Sequence, residues 1–248
     1  MKFAAIADVH GNASALEAVL ADIAAQGFSD TDIVNLGDHV TGPMDAARTA
    51  DILMKRSFVT IRGDQDRRLV ELHRQGCKRM DLDSLSAHHV EWLAGQPGSL
   101  LWRGEILLCH GSPANDARMW LDRVTEAGKI EASPLEVIEA ELASGTSQNA
   151  SLILCAHTHI PRVVRLRDGC LVVNPGSVGL PGYAGNDPVP HKVETGTPDA
   201  CYAIIEKGSS GWRVTLRWVP YDHRPMAELA RSRGAVSWAS ALSSGWIR

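Results

Sequence analysis

The sequence predicts an α/β protein, a parallel or mixed sheet covered by helices. Short apolar runs of strand length alternate with stretches of helical periodicity. The runs stop at Gly-Asp or at Asp-x-His and His-x-His pairs, the polar loops expected at the carboxyl ends of strands in such a sheet. A chain of 248 residues can bury a core without disulfide or zinc staples, and it reads as one domain over its whole length.

The elements follow in order. Residues 2–7 are apolar after Lys2 and break at Asp8-Val9-His10-Gly11-Asn12, so they read as a strand. Leu16, Val19, Leu20 and Ile23 then share one helical face, with Ser14 as N-cap, Glu17 three residues on and Gly27 as the stop. A second strand over 32–36 ends at Gly37-Asp38. Gly42-Pro43 turns the chain into a helix over 45–54, and a third strand over 58–61 ends at Arg62-Gly63-Asp64. Helices are expected over 67–75 and 85–94. Short strands follow near Leu100 and over 105–109, the second ending in His110-Gly111-Ser112-Pro113.

Residues 114–149 read as a helical insertion, in which Pro134 opens a helix through Leu142. Strands return over 152–155, 163–166 and 170–173, the last two joined by the hairpin signal Asp168-Gly169. Residues 181–199, rich in Pro, Gly and Asp, read as one long loop. Strands over 202–206 and 212–218 come next, and the Ser- and Ala-rich tail from Ser232 is expected to hold little structure.

Composition excludes several classes. Hydrophobic residues make up 44% and charged residues 22%, an ordinary globular balance. With 25 Lys and Arg against 29 Asp and Glu the net charge is -4, which weighs against a general nucleic-acid binder. Cys77, Cys109, Cys155, Cys170 and Cys201 are odd in number and lack CxxC spacing, so they read as reduced thiols of a cytoplasmic protein. No signal peptide and no membrane span is expected. The oligomeric state stays open, a homo-oligomer included.

Chemistry concentrates where the strands end. Asp8 and His10 end the first strand, Asp38 the second and Asp64 the third, His110 ends a later one, and His157 and His159 end another. Residues two apart in an extended segment point the same way, so Asp8 with His10 and His157 with His159 can each face one pocket. Singly, each is more often a turn, cap or surface residue. Seven together, mixing carboxylate and imidazole without Cys, suit a Mn, Fe, Co, Ni or Zn site. Without a cation, carboxylates gathered this closely would repel.

The string Asp8-x-His10, Gly37-Asp38, Gly63-Asp64-x-Asp66, His110-Gly111 and His157-x-His159 resembles the calcineurin-like metallophosphoesterase signature. That signature runs Asp-x-His, Gly-Asp, Gly-Asn-His-Asp or Glu, His, and Gly-His-x-His. The match spans residues 3–178, and Asn174-Pro175-Gly176-Ser177 is similar to the smaller bacterial members. The resemblance implies a four-layer sandwich with two packed sheets between helices. It implies two divalent ions, with Asp38 bridging: one on Asp8, His10, Asp38 and His159, the other on Asp38, Asp64, His110 and His157. Such a pair lowers the pKa of a bridging water, supplies a hydroxide nucleophile and clamps phosphoryl oxygens. The activity implied is hydrolysis of phosphate esters by a phosphodiesterase or phosphatase, with Asp38, Asp64 and His110 in the catalytic centre and a small phosphorylated substrate.

Two positions depart from the signature. Asp64 stands where Asn is usual, which adds a negative charge. Gln65 stands where the family has a His thought to assist the leaving group, and an amide cannot supply a proton. These departures support an alternative, a weakened or retired scaffold on the same fold; the retained histidines speak against it.

Other candidates carry two readings each. Asn12 is either a donor to a phosphate oxygen or a turn residue. Arg62, with Arg67 and Arg68, either attracts the substrate phosphate or lines a solvated helix start. His39 is expected to point away from the metals, and Asp66 to pair with a nearby Arg. Tyr183 and His191 fall in the long loop without an assigned role.

Overall fold

Alternation along β1 (Lys2–Ile6) sets up the layers. Phe3 and Ala5 point to one face, Ala4 and Ile6 to the other, and all four are buried. In this computed structural model, which describes residues 1–142 and 150–248, the first face meets a second sheet and the other face meets helices.

From β1 the chain runs through α1 (Ala13–Ala25), β2 (Ile33–Asn35), α2 (Ala46–Met54), β3 (Val59–Thr60) and α3 (Asp64–Arg74). Helices α4 (Met80–Ser84) and α5 (Ala87–Gly95) lead to β4 (Ser99–Trp102) and β5 (Ile106–Cys109). Then come β6 (Asp122–Val124), β7 (Ile130–Ala132), α6 (Leu135–Leu142), β8 (Leu152–Leu154), β9 (Arg162–Arg165) and β10 (Leu171–Asn174). A small hairpin of β11 (Gly182–Gly185) and β12 (His191–Glu194) precedes the long strands β13 (Ala200–Gly208) and β14 (Gly211–Val219). Helices α7 (Arg224–Ser232) and α8 (Val236–Ser244) follow.

The first sheet has the order β14-β13-β1-β2-β3, with β1, β2 and β3 parallel and β13 antiparallel to β1. The second has the order β4-β5-β8-β10-β9, with a parallel centre of β5, β8 and β10 and antiparallel edges. Phe3, Val34, Leu36 and Ile61 of one sheet meet Ile106, Leu108, Leu154 and Val173 of the other in a shared core. Leu16, Val19, Leu20 and Ile23 of α1 cover the first sheet's outer face, each burial contributing about 1.5–3 kcal/mol. Ile138 of α6, with Trp120 and Leu121 from the segment before β6, covers the second. This is the four-layer α/β sandwich that the family resemblance implies.

The parallel strands put their carboxyl ends on one side. The segments after β1, β2, β3, β5 and β8 carry Asp8 and His10, Asp38, Asp64, His110, and His157 and His159 respectively.

Four expectations are corrected. The cap of α1 is Asn12, whose side chain accepts from Ala15 N, because the turn after His10 brings the helix start two residues earlier than Ser14. Residues 114–149 are not wholly helical: β6 and β7 pair within them, and residues 143–149 lie outside the described part. The loop over 181–199 contains the β11–β12 hairpin, whose glycines hide its strand character. The tail is helical, and Met226, Ala227, Ala230, Ala239 and Leu242 pack on Met44. No helix among the described residues is long and apolar enough to cross a membrane.

Candidate metal centre

The backbone around the centre is bent in an uncommon way. Asp8, His10, Asp38, His157 and His159 all adopt positive φ, between 50 and 69°, and only Arg103 joins them among the described non-glycine residues. Left-handed backbone costs a side-chain-bearing residue about 1–3 kcal/mol and persists only where its surroundings hold it. The expectation that Asp8 with His10 and His157 with His159 sit on extended chain is therefore corrected: the turns at both members aim them inward, and Val9 between the first pair packs into the core.

Hydrogen bonds between loops hold this geometry. Asp8 N donates to Gly37 O and His10 N to Asp38 O, both at 3.0 Å. Ser177 Oγ and Gly179 N donate to Asp8 O at 2.8 and 3.0 Å. Gly37 and Gly63 need to be glycine, because a Cβ on Gly37 would collide with the Arg62–Gly63 backbone and one on Gly63 with the Asp38 carboxylate. Asp66 is fully buried and accepts from Asp38 N (2.8 Å), His39 N (2.9 Å), Gly63 N (2.9 Å) and His39 Nδ1 (2.6 Å). It thus joins the Asp38 loop to the Asp64 loop rather than pairing with an Arg, while His39 turns away from the centre against Trp92.

Three imidazoles are oriented alike. The Nδ1–H of His10 donates to Thr41 O (2.9 Å), that of His110 to Leu36 O (2.7 Å) and that of His159 to Leu180 O (2.7 Å). A carbonyl can only accept, so in the neutral rings each Nε2 is left with a bare lone pair facing inward, the arrangement usual for metal-ligating histidines. His10 Nε2 and His159 Nε2 lie 3.1 Å apart, lone pair against lone pair. Both carboxylate oxygens of Asp8, and His110 Nε2, are buried without a hydrogen-bond partner.

The donors fall into two groups, Asp38 with Asp64, His110 and His157, and Asp8 with His10 and His159; within each group the donor atoms lie within 4.8 Å of one another. Asp38 Oδ2 stands 3.3 Å from His110 Nε2 and 3.7 Å from His10 Nε2, so one oxygen faces both groups. These residue types at these positions fit divalent cations.

Among the protein groups alone the charges conflict. Burial, with the Asp38 and Asp64 charges, pushes the Asp8 carboxyl well above its ordinary range against the pull of His110. Burial works the same way on Asp64, but the close His110 and His157 rings outweigh it and hold its carboxyl far below. Burial and the nearby His10 push His159 well down, whereas burial at His110 is overcome by Asp38 and Asp64, which push it up. A cation between these groups removes the conflict.

A cavity of about 760 Å³ opens over the centre, with His10, Asp38, His157 and His159 on its floor. Its walls include Gln65, Arg118, Arg123, Tyr183, His191 and Trp238. Gln65 Nε2 donates to Asp64 Oδ2 at 2.7 Å. Two expected substrate contacts are corrected. Asn12 is buried with its amide donating to Gly179 O and Tyr221 OH, both at 2.9 Å, so it binds the fold together and faces no substrate. Arg62 lies outside the cavity wall, and Arg67 is engaged with Asp116. The arginines on the wall are Arg118 and Arg123, which sequence reasoning missed inside an insertion without a motif. Trp238 was missed with helix α8, although Pro225 near the start of α7 and the 226-229-230 apolar spacing signal a helical tail.

A family model described as the calcineurin-like phosphoesterase superfamily domain matches residues 1–195. The fold is similar to that of a metallophosphoesterase from Sphaerobacter thermophilus, with 24% identity over 99% of this chain and 99% of that one, at a TM-score of 0.71. It is similar at lower scores to Yfce, a phosphoesterase from E. coli (19% identity, 89% of this chain and 100% of that one, TM-score 0.45). Vps29 from Entamoeba histolytica, complexed with zinc, is also similar (15% identity, 88% and 98%, TM-score 0.45). No curated protein matches the sequence significantly.

Proposed function

We propose that this chain, which belongs to the calcineurin-like phosphoesterase superfamily and is a metal-dependent phosphoester hydrolase, cleaves small phosphate esters, diesters foremost, with a pair of divalent ions. Asp8, His10, Asp38 and His159 would hold one ion, and Asp38, Asp64, His110 and His157 the other. The observation that carries this reading is the pair of bare imidazole nitrogens 3.1 Å apart beside the unpartnered Asp8 carboxylate. When bound, Mn, Fe, Co, Ni or Zn supplies Lewis acidity, which brings the pKa of a water towards neutrality and offsets phosphoryl charge.

The chain's own residues do the rest. Asp66 fixes the Asp38 and Asp64 loops against each other, and the Nδ1 bonds of His10, His110 and His159 fix ring direction. Arg118 and Arg123 stand on the wall where a phosphate ester enters, and each would have to share its guanidinium between the ester and its present partner, Glu141 or Glu131. The Gln65 amide is spent on Asp64 and offers the leaving oxygen no proton. The cavity volume of about 760 Å³ suits a small molecule, and the net charge of -4 argues against nucleic acid. Strand β1 lies between β2 and β13, so early and late segments share one sheet, which supports a single domain over 1–248. The reduced thiols suit the cytoplasm.

The test is release of nitrophenolate from bis-p-nitrophenyl phosphate by protein supplied with Mn, Ni or Co. Turnover is expected with at least one of them. Folded, metal-loaded protein that never turns over would refute the reading and favour the scaffold alternative.

A further inference from the structure

Three tyrosines occur in the chain, and their hydroxyls are treated differently. Tyr202 OH donates to Asp22 Oδ2 at 2.6 Å, and Tyr221 OH accepts from Asn12 Nδ2 at 2.9 Å. Tyr183, half-buried on the cavity wall, has no hydrogen-bond partner for its hydroxyl among the described residues. The hydroxyl is not sealed from solvent, so it is open to a ligand in the cavity.

The ring itself is held firmly. It packs edge-on against His159 with ring centroids 4.9 Å apart, lies 6.4 Å from His191, and rests on the apolar group of Leu180, Ala241 and Ile247. Its backbone is strand, with Tyr183 opposite Val193 in the β11–β12 hairpin. A donor on a strand is placed more reproducibly than one on a loop.

Two other wall groups, Gln65 and His191, are already engaged. Gln65, the residue next to Asp64, turns its amide to that carboxylate. His191 is tied through Nδ1 to Val189 O at 2.8 Å. His39 and Asp66 are buried against each other and do not reach the cavity.

Resting on the hydrolase reading above, we propose that Tyr183 is a catalytic residue whose hydroxyl donates a hydrogen bond to an oxygen of the bound phosphoester as negative charge grows there. The donor stays O–H throughout, and no proton transfer is required of it. A fixed donor of this kind is worth most in the transition state, so its loss falls on kcat more than on KM.

The experiment is Tyr183→Phe in the full chain, loaded with Mn and assayed on bis-p-nitrophenyl phosphate beside the unsubstituted protein. Phenylalanine keeps the ring against His159 and removes only the hydroxyl. The proposal expects kcat to fall by about tenfold or more, KM to change by less than about threefold and metal content to stay the same. A smaller fall in kcat overturns it. A fall that comes with loss of metal also overturns it, because the residue would then act by packing on His159. Absence of turnover in the unsubstituted chain sinks the hydrolase reading, and this proposal with it.

Discussion

Asp66 ties the two central metal loops together, and replacing it with asparagine tests that directly. Its carboxylate accepts four hydrogen bonds in full burial, three from backbone N–H groups and one from His39. An amide keeps one acceptor oxygen. In its better orientation that oxygen serves Asp38 N, Gly63 N and His39 Nδ1, while the new NH₂ meets His39 N, donor against donor. One buried N–H left unsatisfied costs about 1–3 kcal/mol, and losing charge assistance on the other three bonds costs roughly 1 kcal/mol each. The expected total is about 4–6 kcal/mol, which for a chain of this size lowers Tm by about 8–24 °C. Looser Asp38 and Asp64 loops should also weaken metal binding by about 10–100-fold. Denaturant melts of the metal-free proteins measure the first quantity, and calorimetric titration with Mn measures the second. His39→Gln, which removes one bond of the four, should cost less on both counts. A loss below about 1 kcal/mol for Asp66→Asn, or a large loss with metal affinity unchanged, would refute the reasoning.

Three further outcomes are expected. Hydrogen bonds from the Arg217 guanidinium, and from Tyr202, hold Asp22 below its ordinary range. The stability this lends is present above the unfolded value of about 4 and is lost as pH falls through the lower folded value. Asp22→Asn should therefore cost roughly 1 kcal/mol at pH 7, and urea melts should show its difference from the parent starting to shrink at about pH 4 and vanishing only below the lower folded value. In a series of diesters of rising leaving-group pKa, the rate should drop steeply, and Gln65→His should flatten the slope because positioned acids are worth about 10²–10⁴-fold. Equal slopes, at equal metal content, would rule this out. Saturating two sites at about a hundredfold over Kd adds about 5 kcal/mol. Treatment with EDTA should then lower Tm by about 10–20 °C, and coincident melts would deny metal linkage.

The layers and the loops that bear Asp8, His10, Asp38, Asp64, His110, His157 and His159 were legible because apolar runs of strand length stop at each of them. What the runs hide is how the chain turns there. Left-handed backbone at Asp8, His10, Asp38, His157 and His159 comes from loop-to-loop bonds such as His10 N to Asp38 O, and no local residue preference announces it. Asp66 was misread for the same reason: its partners are brought together only when two loops meet. The β11–β12 hairpin was hidden by glycines with weak strand preference, and helix α8 by a run of serine and alanine. Asn12 was the reverse case, a residue beside the motif whose side chain is wholly used by the fold.

The central claim is that seven side chains hold two divalent ions through a shared Asp38, and metal counting on purified protein tests it most directly. The chain is loaded with Mn, freed of excess and measured by plasma emission beside Asp8→Ala and Asp38→Ala. About two ions per chain are expected for the parent, about one after Asp8→Ala, and fewer still after Asp38→Ala, since both ions lose an anionic ligand there. Folded parent protein that binds one ion or none, or an equal loss from the two substitutions, would contradict it.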